Sequence, residues 1–275
     1  VRLVKAHAYG NDFLLAAWDD AHARAQGDLA QLARAVCARH TGIGADGLML
    51  VAPTENGAAT QLYNADGSPS EISGNGIRCV AAWLARRNRL GPGADVVIAT
   101  GAGDRPITIL ERQGRQVICR ADMGPVTELH QVSLDVEGTP VTCVTMRVGN
   151  PQCVVLGGAA DLTTERLHRI AGRLAVHPHF PHGTNVELAC LETSGRVRIL
   201  IWERGVGPTE ASGTGACAAA AAAHLVGGAD ASLDVDAPGG VQHVDVTAER
   251  LWLTGAAEVI AHVEWVDGAP TEEET

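Results

Sequence analysis

The sequence predicts an α+β fold built as two similar halves, and three observations carry that reading. A short stretch occurs twice, as Ser73-Gly74-Asn75-Gly76 before IRCVAAWLA and as Ser212-Gly213-Thr214-Gly215 before ACAAAAAAH. Long helices are expected only after these two motifs, whereas much of the remaining chain reads as short strands broken by glycine turns. The second half also restarts the plan of the first: VTCVTMRVGNPQCVVLG is strand, break at Gly149-Asn150-Pro151, strand, as the opening is around YGNDF. The motif-to-motif offset implies an internal duplication of about 140 residues per unit. Each half is expected to hold a mixed or antiparallel sheet, the first over residues 1–118 and the second over 119–258, with the C-terminal strand 259–266 able to join the first.

In chain order, VRLVKAHAYGNDFLLA is a strand, a break at Tyr9-Gly10-Asn11-Asp12 and a second apolar run, where Asn11 has an ordinary turn role open to it. Residues 28–39 have helical apolar spacing and Asp28 at the N-cap position. GIGADGLMLVAP is a glycine-rich turn into a buried strand, and TQLYN alternates as a strand that ends at Asn64, above the sheet. After a helix over 77–88, VVIATGAG, RPITILER and RQVICRADMG read as consecutive strands. Residues 161–173 form a capped helix, HPHFPHGTNVELACLE runs from loop to strand, and RVRILIWERG is a strand before the second motif. VQHVDVTAERLWLTGAAEVIAHVEWV supplies closing strands, and PTEEET is an acidic tail.

Composition narrows the function classes. In 275 residues there are 32 acidic against 21 basic side chains, and no basic stripe that could neutralise phosphates, which argues against a nucleic-acid partner. Aromatics are scarce at 3%, so the cores should be built from Ala, Val, Leu and Ile. Seven scattered cysteines with no CxxC pair point to reduced thiols, with neither a disulfide frame nor a zinc site. His177, His179 and His182 are interleaved with prolines and read as loop histidines more readily than as a metal cluster. No apolar run is long enough to span a bilayer and no secretion signal opens the chain, so no membrane partner and a cytoplasmic protein are expected.

The repeated motif carries the chemistry. Gly-x-Gly allows a tight turn, and the open N–H groups of the helix that follows form an anion site at the positive end of its dipole. Ser73 and Ser212 stand just before these sites. If the two copies face each other, they enclose a carboxylate-sized site with one small polar side chain on each wall. Such a cleft reaches an amino acid's α-carbon from both faces. A dinucleotide fingerprint fits less well, because ERGVGPTEAS separates the second motif from its preceding strand.

YNADGSPSEISGNGIRCVA, VGNPQCVV, TNVE and ERGVGPTEASGTGACA, with GNDF and GIGADG near the start, resemble diaminopimelate epimerase in order and over nearly the whole chain. The resemblance implies a cofactor-independent amino-acid racemase of two pseudo-symmetric domains, each a sheet wrapped around a central helix, with the active site between them. It implies two acid/base groups of near-matched pKa on opposite faces of the substrate, and neither pyridoxal phosphate nor metal. Carried over by motif, Asn11, Asn64, Asn150, Asn185 and Arg204 contact the substrate, the backbone amides of Gly74, Asn75, Gly213 and Thr214 receive the carboxylate, and Glu203 tunes proton transfer. The family admits homodimers, and no sequence feature here sets the oligomeric state.

The chain departs from the family where the chemistry is done. Both catalytic cysteine positions are serine, Ser73 and Ser212, and the histidine of GNPHC is Gln152. A thiol ionises near about 8.5, whereas a serine hydroxyl needs an adjacent base. Three explanations stand side by side: engineered serines that trap substrate in a closed cleft; a natural relative that runs another isomerisation or an elimination, or works slowly with serines assisted by Glu203; and a non-catalytic amino-acid binding protein. Cys79 and Cys217, a turn or more into the helices, read as buried packing residues.

Overall fold

The computed structural model describes residues 1–25 and 27–266, so the expected acidic tail lies outside the described residues. Strand Arg2–Ala8 turns through Tyr9 and Gly10, at φ 55° and 87°, into strand Asn11–Ala17. Two left-handed residues are what a tight hairpin requires, and here they set Asn11 at a strand's first position. Helix Leu29–Cys37 starts at its expected cap, where Asp28 accepts the Gln31 N–H at 2.8 Å. A further helix, Trp18–Ala25, has no counterpart in the sequence reading. It buries only Ala21, so no apolar stripe announces it.

Strand pairing repeats from one half of the chain to the other. Asn11–Ala17 runs parallel to Gly47–Thr54, which pairs antiparallel with Gly57–Asn64, which runs parallel to Asp95–Thr100. Asn150–Gly157, Asn185–Thr193, Arg196–Glu203 and Ser232–Ala237 make the same parallel, antiparallel, parallel series. Asp95–Thr100 continues through Gly103–Gln113 and Gln116–Gly124 to Leu251–Glu264, which returns to Arg2–Ala8. These pairings close a barrel, the arrangement that satisfies strand edges without outside partners.

Two segments differ from the sequence reading. Thr127–Val136 is a strand, joined to Thr139–Val148 through Glu137 and Gly138 at positive φ. Most of it is exposed and polar, which hides its strand pattern. The helix expected at 161–173 begins later. A single 3₁₀ turn covers Ala159–Asp161, and Thr163 caps the helical segment 164–175 by accepting the Arg166 N–H at 3.1 Å.

The two motif helices, Gly74–Arg87 and Gly213–Leu225, are the most buried helices among the described residues. The first packs against Arg2–Ala8, Asn11–Ala17, Gly57–Asn64, Asp95–Thr100, Gly103–Gln113, Gln116–Gly124 and Leu251–Glu264. The second packs against Thr139–Val148, Asn150–Gly157, Asn185–Thr193, Arg196–Glu203, Ser232–Ala237, Gly240–Val246 and, like the first, Leu251–Glu264. Residues 216–223 are seven alanines and Cys217, all fully buried. A helix apolar on every side belongs inside a core, and small side chains let strands approach it closely. One apolar cluster includes both helices, while the outer helices pack in two further clusters on other sheet faces.

Candidate active site

Ser73 and Ser212 are N-caps with extended backbones. Ser73 Oγ accepts the Gly76 N–H at 3.0 Å, and Ser212 Oγ accepts the Gly215 N–H at 3.1 Å. Serine is among the residues that cap best, and capping leaves the hydroxyl hydrogen free to be donated elsewhere. The helices meet at these ends. A Cβ built on Gly74 would lie 2.9 Å from Gly213 Cα, and one on Gly213 would lie 2.7 Å from Gly74 Cα. Glycine is required at both positions by this approach of backbone to backbone.

The meeting point opens into a narrow cleft of ≈ 50 Å³. Asn11, Asn64, Ser73, Gly74, Asn150, Asn185, Glu203, Arg204, Ser212 and Thr214 all line it, together with Asp46 and an apolar patch of Phe13, Leu62, Ile72 and Val206. Residues from position 11 to position 214 therefore converge. Asn75, Gly213 and Gln152 do not line the cleft. Asn75 is buried, its side-chain amide donating to Asn11 Oδ1 and to Ala211 O, both at 3.1 Å. Gln152 is buried behind Asn150, to whose Oδ1 its Nε2 donates at 2.6 Å. Its Oε1 has no hydrogen-bond partner among the described residues.

Strand register explains part of the convergence. Gln152 stands opposite Asn185 on the parallel neighbour, and Val186 stands opposite Trp202, which sets Asn185 and Glu203 at the next paired positions. Asn185 Oδ1 accepts the Arg204 backbone N–H at 2.9 Å. The Arg204 guanidinium donates to His182 O at 2.8 Å and lies 3.6 Å from Glu71. Asn64 donates to Ser68 Oγ at 3.0 Å.

Burial pushes the Glu203 carboxyl up to about 7, with the charge of Asp46 adding to the rise and the Ser212 and Thr209 hydroxyls opposing it. Glu203 is thus poised between acid and base near neutral pH, a property that marks proton-transfer sites. Glu187 lies behind it, fully buried against Gly215, with neither carboxyl oxygen partnered among the described residues. Burial, then the neighbouring Glu203, push Glu187 well above the ordinary carboxylate range. Burial also raises the thiols of Cys79 and Cys217, the latter to about 12, which keeps both in the inert thiol form. His177, His179 and His182 lie on the loop before Asn185–Thr193, where His179 N–H donates to His177 Nδ1 at 3.1 Å.

Sequence reasoning missed Asp46 and Glu187. Both lie in stretches that are legible as motifs, GIGADG and TNVE, but neither acid has a spacing that distinguishes it from a turn or strand residue.

Comparison with known proteins gives concordant results. A family model described as Diaminopimelate epimerase matches residues 3–129 and 144–260. The diaminopimelate epimerase of Desulforudis audaxviator is 38% identical over 97% of this chain and 99% of that protein. That of Moorella thermoacetica is also 38% identical, over 94% and 96%. Among solved structures, a probable proline racemase from Agrobacterium radiobacter has a TM-score of 0.75 at 18% identity, covering 98% of this chain and 94% of that one. A hydroxyproline epimerase from Agrobacterium vitis has a TM-score of 0.71 at 18% identity, covering 95% and 90%.

Proposed function

Because the chain belongs to the diaminopimelate epimerase family of isomerases, we propose that its cleft binds 2,6-diaminopimelate and that the site is built to interconvert the LL and meso forms. The observation that carries this reading is the meeting of two serine-capped helix N-termini on one cleft. The N–H groups at the cleft-lining Gly74 and Thr214 receive the reacting carboxylate, with those at Asn75 and Gly213 standing just behind them in the same helical turns, where helix dipoles and open donors stabilise an anion. Ser73 and Ser212 occupy the two proton-transfer positions on opposite sides of the α-carbon. Asn11, Asn64, Asn150, Asn185 and Arg204 hold the remaining polar groups of the substrate, and the arginine suits the distal carboxylate.

In this reading the Ser/Ser chain is impaired. Glu203 can accept the Ser212 proton when ionised, which gives one hydroxyl a base. Ser73 has no comparable partner among the described residues, since Gln152 cannot take up a proton and lies behind Asn150. The reaction as proposed uses no cofactor, its partner is a small amino acid, and its setting is the cytoplasm. The fold reading that accompanies it is two pseudo-symmetric halves, each wrapped around its central motif helix, with the cleft between them. Strand Leu251–Glu264 supports placing the final strand with the first half. It pairs with Gly240–Val246 only over residues 251–254, with Gln116–Gly124 over 251–258 and with Arg2–Ala8 over 258–264.

The test is incubation with LL-diaminopimelate in D2O, followed by NMR, for the Ser/Ser chain beside a Ser73→Cys/Ser212→Cys version. α-Proton exchange and meso product from the cysteine version alone are expected. Exchange by neither, with no binding, would move the substrate assignment to another amino acid.

A further inference from the structure

Asn11, Asp46 and Glu203 line the same cleft, yet the proposed scheme uses only Asn11, to hold substrate, and Glu203, to hold a proton. Asp46 ends the loop before strand Gly47–Thr54 and makes contacts in both directions. Its Oδ2 accepts from Asn11 Nδ2 at 2.8 Å and from the Asp12 N–H at 2.9 Å, while its Oδ1 accepts from Arg39 at 2.7 Å. In these bonds the carboxylate only accepts, which is the pattern of an ionised group. Asn11 is held at its other end by the Asn75 amide, so its orientation is set: Nδ2 toward Asp46 and Oδ1 toward the Ser73 helix.

We propose that Asp46 is a positioning residue of the site, whose single carboxylate fixes the Asn11 amide and sets the proton occupancy of Glu203 across the cleft. This rests on the reading of Glu203 as the proton-holding group of the epimerase site. The electrostatic link runs through the cleft, where the negative charge of Asp46 opposes a second negative charge on Glu203. Arg39 moderates it. Its guanidinium bridges Asp46 and Asp12, and Lys5 reaches Asp12 from the first strand, so the two acids share Arg39 while Asp12 has a second cation. The other groups facing Glu203 are the Glu187 carboxyl from strand Asn185–Thr193 and the Thr209 and Ser212 hydroxyls, while Arg204 is directed to His182 and Glu71.

The link has a sign that can be read without turnover. With 13C-labelled glutamate carboxyls, the Glu203 resonance is assigned by its loss in Glu203→Gln and separated from Glu187 by Glu187→Gln. Asp46→Asn is expected to lower the Glu203 midpoint from about 7 by about half a unit or more, leaving it above 4.5 because its burial remains. Asp46→Glu should restore it. Arg39→Gln, at a side chain that is 55% exposed, should raise it. An unmoved midpoint in both Asp46→Asn and Arg39→Gln, or movement of both in the same direction, overturns the proposal. If Asp46→Asn does not fold, a midpoint in Arg39→Gln that fails to rise overturns it alone. Absence of α-proton exchange in the cysteine version sinks the epimerase reading and leaves this titration untouched.

Discussion

At the scale of single residues, the site combines groups whose local roles conflict with their chemical ones. Ser73 and Ser212 are good caps and poor acids. Replacing each by cysteine gains an ionisable thiol at a helix N-terminus and weakens a cap, which typically costs about 1 kcal/mol per helix. The double cysteine chain is therefore expected to gain exchange activity while its urea midpoint falls, and the pair of measurements separates the two effects. Glu203 shows the same conflict in its pH dependence. Its carboxyl titrates near 4.5 when unfolded and about 7 when folded, so between those values the folded chain holds the extra proton. Stability from this group is therefore full below pH 4.5, falls as pH rises toward 7, and levels off above it. The span corresponds to at most about 3 kcal/mol, because Glu203 is only half-buried and solvent screens it. Urea unfolding across pH 4 to 8 should show a steeper decline in the parent than in Glu203→Gln, where the raised Glu187 carboxyl still contributes; an equal decline in both would assign it elsewhere.

At the scale of elements, what was legible depended on whether a signal is local. The Asp28 cap, the strand ending at Asn64 and the two glycine motifs were readable because a turn or cap residue sits beside the run it bounds. Trp18–Ala25 and Thr127–Val136 were not, since each is largely exposed and carries little apolar periodicity. Most cleft-lining residues could be named from motifs, whereas Asp46 could not be weighed, because its partners Asn11 and Arg39 come from other parts of the chain. The glycines of the motifs also hide their reason. Neither Gly74 nor Gly213 is at positive φ, so a substitution at either meets no backbone strain of that kind. What forbids a side chain is the other helix. Gly213→Ala is expected to push the two N-termini apart, costing about 1–3 kcal/mol by urea unfolding and abolishing carboxylate binding by calorimetry. Ala at Gly228, at φ 77° but with nothing within 4 Å of its Cβ, should lower stability and leave binding intact.

At the scale of the molecule, the question is whether the two repeated pairing series can unfold separately. Short-range pairing would allow it, since hairpin and parallel contacts recur within each half. Three features tie them together. Strand Leu251–Glu264 pairs over residues 251–254 with Gly240–Val246, over 251–258 with Gln116–Gly124 and over 258–264 with Arg2–Ala8. Arg78 of the first motif helix, fully buried, donates to Gln242 Oε1 at 2.6 Å on strand Gly240–Val246. One apolar cluster includes side chains of both motif helices. Opening one half alone would expose part of that shared core and leave Arg78 and Gln242 with buried polar groups unpaired, a penalty of about 1–3 kcal/mol for each group before any apolar area is counted. Unfolding is therefore expected to be a single transition. Two chains that retain only Trp83, on the first motif helix, or only Trp202, on strand Arg196–Glu203, provide the check. Within each chain, the fluorescence and far-UV circular dichroism transitions in urea should coincide. A Trp83 signal that melts before the circular dichroism of the same chain would mean that the first series is an independent unit. In that case the cleft could open by local unfolding of one wall, which the shared strand and core otherwise prevent.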